Sequence, residues 1–253
     1  MTDSAVWLRR FHPATPGAPR LVCFPHAGGA ASYFHPLSAA LAPAVDVLAV
    51  QYPGRQDRYA EPLVDDLSVL ADRLADVLAA EVGGPVAFFG HSMGASLAFE
   101  VARRLGAGLL GLFVSARRAP SAPRAVRVHE RGDDELLADV RRLGGTDARV
   151  LAHPQLVRMV LPLLRNDYKA AETYRYQPGP DVGCPIFALV GDRDPKVTEA
   201  AARRWAAHTS GGFELKSFPG GHFYLNDHHV AVSRLLGERL TRWTGEPLAS
   251  DQQ

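Results

Sequence analysis

Ser92 is the residue of this sequence that is best placed for nucleophilic chemistry. It is the centre of Gly90-His91-Ser92-Met93-Gly94, which follows the apolar run Pro85-Val86-Ala87-Phe88-Phe89. Glycines on both sides let neighbouring chain pass a tight turn without a side-chain clash. The pattern therefore predicts a strand, a strained turn that exposes the Ser92 hydroxyl, and a helix.

A serine hydroxyl is a poor nucleophile at neutral pH, so a second group must take its proton during attack. We assign this role to His222, because the two glycines before it let its loop reach the serine. Asp194 is the carboxylate that would orient the imidazole and stabilise its cation. Asp192 is the alternative acid, and Asp194 is preferred because it lies farther beyond the preceding strand. His91 is expected to pack beside the pocket, since adjacent side chains point apart.

Strands that alternate with helices must position these groups. The predicted strands are 6–11, Arg20–Phe24, Val45–Val50, 85–89, Leu109–Ser115, Pro185–Val190 and Phe213–Phe218. Such alternation implies an α/β fold, a mostly parallel sheet with helices on both faces. The chain order Ser92, Asp194, His222, each on a loop after a strand, is typical of the α/β-hydrolase fold. We predict one such domain over residues 1–253.

The turn Pro25-His26-Ala27-Gly28-Gly29 ends the strand at 20–24. Its glycines can bring backbone amides close to a ligand. In a hydrolase this loop would supply one oxyanion donor, and the amide of Met93, after the nucleophile, would supply the other. The helix amino terminus adds a positive partial charge there. The alternative is a plain strand-to-helix turn, because the sequence does not show which amide points inward.

Residues 118–180 interrupt the alternation of strands and helices. They begin with a proline-rich linker and contain helical patterns at 133–143 and 153–176, the second with Pro162 inside it. We expect Pro162 to kink or divide that helix. Apolar helices outside the sheet can form a lid that excludes water and selects the substrate. The alternative is a helical decoration without a role in binding.

The whole chain has 253 residues, 47% of them hydrophobic, and a formal net charge of +1. That charge gives no support for a nucleic-acid partner. Cys23 and Cys184 lack the spacing of a metal or redox site, and we predict buried free thiols in preference to a disulfide. No metal or cofactor is predicted. No segment approaches the length of a membrane span or a signal-peptide core, so a cytoplasmic protein is expected.

Six segments along nearly the whole chain form a specific combination. They are 25–29 (PHAGG), 51–55 (QYPGR), 90–94 (GHSMG), 163–168 (LLRNDY), 191–195 (GDRDP) and 220–223 (GGHF). Together they resemble the discrete type II thioesterases of polyketide and nonribosomal peptide synthases. The resemblance implies hydrolysis of wrong or stalled acyl groups from the phosphopantetheine arm of acyl carrier proteins, with acyl-CoA or other acyl thioesters as surrogates. It also implies that the amides of Ala27 and Met93 form the oxyanion hole and that 118–180 is a mobile lid.

Two other functions fit parts of the pattern. One is another serine hydrolase, such as a small-ester esterase or a chain-releasing thioesterase domain; the lack of a fused carrier domain favours a free-standing enzyme. The other is a hydrolase fold kept as a binding protein, against which the complete set of Ser92, Asp194 and His222 argues. The spacing itself does not distinguish a thioester from an oxygen ester.

A run of arginines without acidic residues lies between Val101 and His129. Its members are Arg103, Arg104, Arg117, Arg118, Arg124 and Arg127. We expect them to form a docking surface for an acidic carrier protein, with an ordinary solvated surface as the alternative.

Overall fold

A parallel sheet forms the centre of the molecule in the computed structural model, which describes residues 3–81, 84–106, 108–122, 127–146 and 148–245. Its seven strands in the described residues are β1 (Leu8–Arg9), β2 (Arg20–Phe24), β3 (Asp46–Val50), β4 (Val86–His91), β5 (Leu109–Ser115), β6 (Ile186–Gly191) and β7 (Phe213–Phe218). They lie in the order β1-β3-β2-β4-β5-β6-β7. All neighbours are parallel except β1, which pairs antiparallel with β3.

Helices cover both faces of this sheet. They are α1 (Asp3–Trp7), α2 (His35–Leu41), α3 (Leu67–Glu81), α4 (Met93–Leu105), α5 (Asp133–Leu143), α6 (Ala148–Ala152), α7 (Pro154–Thr173), α8 (Glu199–Arg203) and α9 (His229–Thr244). Side chains alternate along β4, so Phe88 packs in the layer of α3 and α4 and Phe89 in the layer of α2 and α9. The predicted α/β architecture is therefore confirmed.

The amino-terminal strand expected at residues 6–11 is wrong in its extent. Trp7 ends α1, and its side chain is buried in the core with the Arg58 guanidinium 4.1 Å above the ring centroid. Only Leu8 and Arg9 pair with β3. The apolar pattern of this segment thus reflects burial of the Trp7 indole at the end of a helix, and the strand is shorter than predicted.

The segment between β5 and β6 is helical in its described residues. It contains α5, at the predicted bounds, followed by α6 and α7. These helices share a small core that is separate from the clusters on the sheet: Val128, Leu136, Leu137, Val140, Leu151, Leu164 and Tyr168. Pro162 does not divide α7, because the buried residues of the next two turns, from Leu164 to Ala171, hold the helix together.

Both cysteines are buried free thiols, as predicted. Burial raises the pKa of the Cys23 thiol well above its ordinary value and that of Cys184 to about 11. Among the described residues, no helix has both the length and the apolar character to cross a bilayer. The cytoplasmic location stays a prediction, as do the single-domain boundaries.

Candidate active site

Ser92 lies on the turn between β4 and α4, with φ 54° and ψ −114°. A positive φ is uncommon outside glycine and marks a strained position. The flanking glycines are required by close contacts. A Cβ on Gly90 would lie 2.3 Å from the Gly94 carbonyl oxygen, and one on Gly94 would lie 2.0 Å from the Phe24 carbonyl oxygen. The strained turn predicted from the motif is present.

The structure brings the three predicted catalytic side chains together. The Ser92 Oγ lies 2.9 Å from His222 Nε2, and His222 Nδ1 lies 2.8 Å from Asp194 Oδ2. His222 and Asp194 are both buried. Because an ionised carboxylate only accepts hydrogen bonds, Nδ1–H donates to Asp194 and the unprotonated Nε2 accepts from the Ser92 hydroxyl. This arrangement can draw the proton from the serine as it attacks.

Asp192 does not contact His222; it braces the loop that carries the histidine. Its Oδ1 accepts a hydrogen bond of 2.8 Å from the Gly220 amide, and this bond lowers the pKa of the Asp192 carboxyl. Asp194 also accepts from the Lys196 amide through Oδ1 at 2.8 Å. The two carboxylates therefore hold the two loops against each other, and Asp194 alone of the pair reaches the imidazole.

Two residues that carry the predicted oxyanion donors line the pocket beside Ser92. Met93 begins α4, and Ala27 lies in the loop after β2; both residues line the same pocket as Ser92 and His222. Within the part of the chain that the structure describes, neither amide donates a hydrogen bond to another protein group. The amino terminus of α4 adds its partial positive charge. The oxyanion role of the Ala27 and Met93 amides stays a prediction.

A pocket of about 600 Å³ opens over Ser92 and His222. Its far wall comes from residues of the helical insertion, both apolar and charged: Val128, Glu135, Val140, Arg142, Leu143, Leu164 and Tyr168. The insertion thus contributes to the surface that an acyl group would meet. The described residues contain no cluster of His, Cys, Asp or Glu that could hold a metal ion.

Comparison with known proteins decides the family. Residues 19–240 match the family model of the thioesterase domain. The chain belongs to the thioesterase family. It is 51% identical to the thioesterase PikA5 of Streptomyces venezuelae, over 97% of this chain and 89% of that protein. It is also 51% identical to a probable cadicidin biosynthesis thioesterase of Streptomyces griseus, over 94% of this chain and 66% of that protein.

A solved structure supports the same conclusion. The type II thioesterase BorB from the borrelidin biosynthetic cluster superposes with a TM-score of 0.88 at 56% identity, covering 95% of this chain and all of that one. The resemblance to type II thioesterases that the six segments indicated is confirmed, and so is the α/β-hydrolase fold. The chain is accordingly an enzyme of the thioesterase class, which removes the non-catalytic binding protein as an alternative.

Two further histidines lie beside His222 in this thioesterase. His91 bonds to the Ser115 hydroxyl at 2.9 Å, and its ring centroid lies 5.5 Å from that of His222. The His26 ring lies 5.9 Å from His91. Burial lowers the pKa of His91 well below its ordinary value and that of His26 to about 3. Both rings are therefore neutral at physiological pH and cannot act there as a cation. His91 packs as predicted. The position of the His26 ring beside His91 was not predicted from the sequence.

The loop that carries Ala27 is held by an ion pair that sequence reasoning did not identify. Asp167 of α7 accepts from Arg55 at 2.7 and 3.0 Å, and the same carboxylate accepts from the Gly28 amide at 2.8 Å. Arg55 also donates to the Gly29 carbonyl oxygen at 2.9 Å. Arg55 and Asp167 lie in two of the six segments that carried the family resemblance, 51–55 and 163–168. The spacing of those segments along the chain does not reveal that the two side chains meet.

The six arginines expected to form one docking surface are divided between opposite edges of the sheet. Arg103 and Arg104 lie in the last turn of α4, which runs back from the carboxyl edge of the sheet. Arg117 and Arg118 follow β5 at the carboxyl edge and line the pocket. Arg124 lies outside the described residues. A single arginine surface is therefore wrong, because residues close in sequence are separated by the whole length of β5.

Proposed function

We propose that this thioesterase removes aberrant or stalled acyl groups from the phosphopantetheine arm of acyl or peptidyl carrier proteins in polyketide or nonribosomal peptide biosynthesis. The observation that carries the proposal is the hydrogen-bonded chain from Ser92 through His222 to Asp194, which opens on the pocket beneath the helical insertion. The names of the relatives support the biosynthetic setting, since they include a type II thioesterase of the borrelidin cluster.

In this proposal Ser92 attacks the thioester carbonyl while His222 Nε2 takes its proton. The negative charge that develops on the carbonyl oxygen is stabilised by the amides of Ala27 and Met93. As the intermediate collapses, the carbon–sulfur bond breaks and His222 returns the proton to the departing thiol of the arm. A water molecule, deprotonated by His222, then attacks the acyl-serine. The second intermediate collapses to the free acid and restores the Ser92 hydroxyl.

The first test addresses the nucleophile. A serine-reactive fluorophosphonate should add one covalent group to the wild type, and peptide mapping should place it at Ser92. Ser92→Ala should lower kcat by about a thousandfold or more and keep the far-UV circular dichroism spectrum, because the oxyanion donors stay in place without a nucleophile. Labelling at another residue, or near-normal turnover in Ser92→Ala, would exclude the mechanism.

The second test addresses the substrate. The wild type is assayed with one acyl group on three carriers: a holo acyl carrier protein, coenzyme A and an oxygen ester of similar size. The proposal expects the highest kcat/KM for the acyl carrier protein, with acyl-CoA as a slower surrogate. A preference for the oxygen ester would identify a small-ester esterase. Cyclised product from a long tethered chain would identify a chain-releasing thioesterase.

A further inference from the structure

We propose that the buried pair of Arg55 and Asp167 positions the Ala27 amide for the oxyanion. The proposal rests on the proposed function, in which that amide is one of the two donors. Neither residue touches the reacting atoms, so both act as positioning residues. The pair joins two distant parts of the chain, 112 residues apart, at the loop between β2 and the following helix.

The direction of the Ala27 N–H follows from the geometry of one peptide unit. This N–H shares its plane with the His26 carbonyl, and in a trans peptide the two groups point in opposite directions. The His26 carbonyl oxygen accepts a hydrogen bond of 2.9 Å from the Gly29 amide. The position of Gly29 therefore sets the plane, and with it the direction in which the Ala27 N–H points.

Gly29 and its neighbour Gly28 are in turn held by the ion pair. Arg55 Nη1 donates to the Gly29 carbonyl oxygen at 2.9 Å, and Asp167 Oδ2 accepts from the Gly28 amide at 2.8 Å. The same Nη1 and Oδ2 atoms are 2.7 Å apart, and Nη2 bonds to Oδ1 at 3.0 Å. A bidentate pair of this kind has a fixed orientation. Two consecutive loop residues are thereby fixed to one rigid unit.

A contribution to the free energy of unfolding does not by itself explain why a charged pair occupies this buried position. The Arg55 and Asp167 side chains are 5% and 1% exposed, and desolvation can cost such a pair as much as its attraction returns. Apolar side chains of similar volume could fill the space without that desolvation cost. They could not accept from the Gly28 amide or donate to the Gly29 carbonyl. The charged pair therefore supplies hydrogen bonds of fixed direction to the backbone of Gly28 and Gly29.

The pair also ties the loop to the wall of the pocket. Asp167 lies on α7, and the same helix contributes Leu164 and Tyr168 to the pocket lining. Leu164 also packs on Gly28, where a Cβ would lie 2.5 Å from its Cδ2. A displacement of α7 at this point would therefore disturb the oxyanion loop together with the acyl pocket.

The test compares Asp167→Asn with Glu100→Gln. Glu100 is a matched control, since it is buried, bonds to two arginines and the Tyr174 hydroxyl, and makes no contact with the loop within the described residues. For each variant, kcat and KM are measured with an acyl-pantetheine thioester. The affinity of a trifluoromethyl ketone, which forms a tetrahedral adduct with the nucleophilic serine, and the melting temperature are measured in parallel.

Asp167→Asn should lower kcat by about tenfold to a hundredfold, because a donor displaced by a fraction of an ångström stabilises the oxyanion poorly. Affinity for the ketone should fall by a similar factor, while KM should change less than about threefold. Glu100→Gln should keep kcat and ketone affinity within about threefold of the wild type, even with a similar loss of melting temperature.

Equal kcat values in the two variants would overturn the proposal, as would a change in KM alone. If Asp167→Asn does not accumulate as folded protein, Arg55→Lys replaces it. A lysine keeps the charge but lacks the planar, two-nitrogen fork that fixes the orientation of the pair, so the same fall in kcat and ketone affinity is expected. A wild type that is inactive on thioesters or unlabelled at Ser92 would instead contradict the proposed function.

Discussion

Two carboxylates stand within three residues of each other at the end of β6, and each has a different partner. Asp194 accepts from the His222 imidazole, while Asp192 accepts from the backbone amide of Gly220. The first contact needs an ionised oxygen, because it must stabilise a developing imidazolium. The second needs only an acceptor. The same substitution should therefore have unequal effects at the two positions.

We expect Asp194→Asn to lower kcat by about ten-thousandfold, because an amide can hold the imidazole in the wrong tautomer. Asp192→Asn should keep kcat within about threefold, since the asparagine oxygen can still accept from Gly220. Steady-state kinetics on one thioester substrate measures both. The reverse ranking would transfer the acid role to Asp192.

His91 should make the free energy of unfolding decrease as the pH falls. Burial holds its folded-state pKa well below the ordinary 6.5. The unfolded chain therefore binds a proton below about pH 6.5 that the folded chain does not, and stability falls as the pH falls. His91→Asn should reduce the slope of unfolding free energy against pH by about 1 kcal/mol per unit just below pH 6.5.

Urea unfolding at several pH values measures that slope. Above pH 7 the histidine is neutral in both states, so the wild type and the variant should there show parallel curves, which serves as the internal control. Parallel curves over the acid range as well would show that His91 does not resist protonation.

Among the elements, the helical insertion is the one whose role in selectivity can be measured. Leu143, at the end of α5, lines the pocket, whereas Leu156 on α7 is 40% exposed and does not line it. Leu143→Trp should fill part of the acyl space and lower the ratio of kcat/KM for long over short acyl groups by about tenfold. Leu156→Trp is the matched control. An unchanged ratio in Leu143→Trp would leave the insertion without a selective role.

The elements that sequence patterns predicted well are those whose partners are local. β5 and α5 have the predicted bounds, because each is determined by its own apolar periodicity and by the glycines or charges at its ends. The positions of Ser92, Asp194 and His222, each after a predicted strand, were enough to predict that they meet, since parallel strands all end at the same edge of the sheet. The oxyanion loop shows the limit: nothing local in Arg55 or Asp167 indicates that they meet, because three-dimensional packing alone brings α7 against the loop after β2.

In the molecule as a whole, the active site lies at the carboxyl ends of the parallel strands, which we call the carboxyl edge of the sheet. Under the proposed function a carrier protein delivers its arm at that edge, so basic residues there are the ones placed to assist docking. Arg127 precedes the pocket residue Val128, is 53% exposed in its side chain, and pairs with the equally exposed Glu130. Arg242 lies in the last turn of α9, next to Trp243, which packs on Gly111 near the start of β5 at the opposite edge.

Arg127→Ser should therefore raise KM for an acyl carrier protein by about two- to fivefold, the effect of one exposed charge, and spare KM for a small neutral thioester. Arg242→Ser should change neither constant. The wild-type KM for the carrier should rise with salt while the small substrate barely responds. Equal salt responses for the two substrates would show that charge does not guide the carrier.

The burial of both native thiols makes the molecule convenient for site-specific spectroscopy. Cys23 and Cys184 are the only cysteines in the sequence, and their raised pKa values keep them protonated and unreactive at neutral pH. A cysteine introduced for Met159, which is 56% exposed on α7, would thus be alkylated selectively by a maleimide dye or spin label. Such a probe needs no prior removal of native cysteines, so motion of the helix that carries Asp167 can be followed in the otherwise unaltered chain.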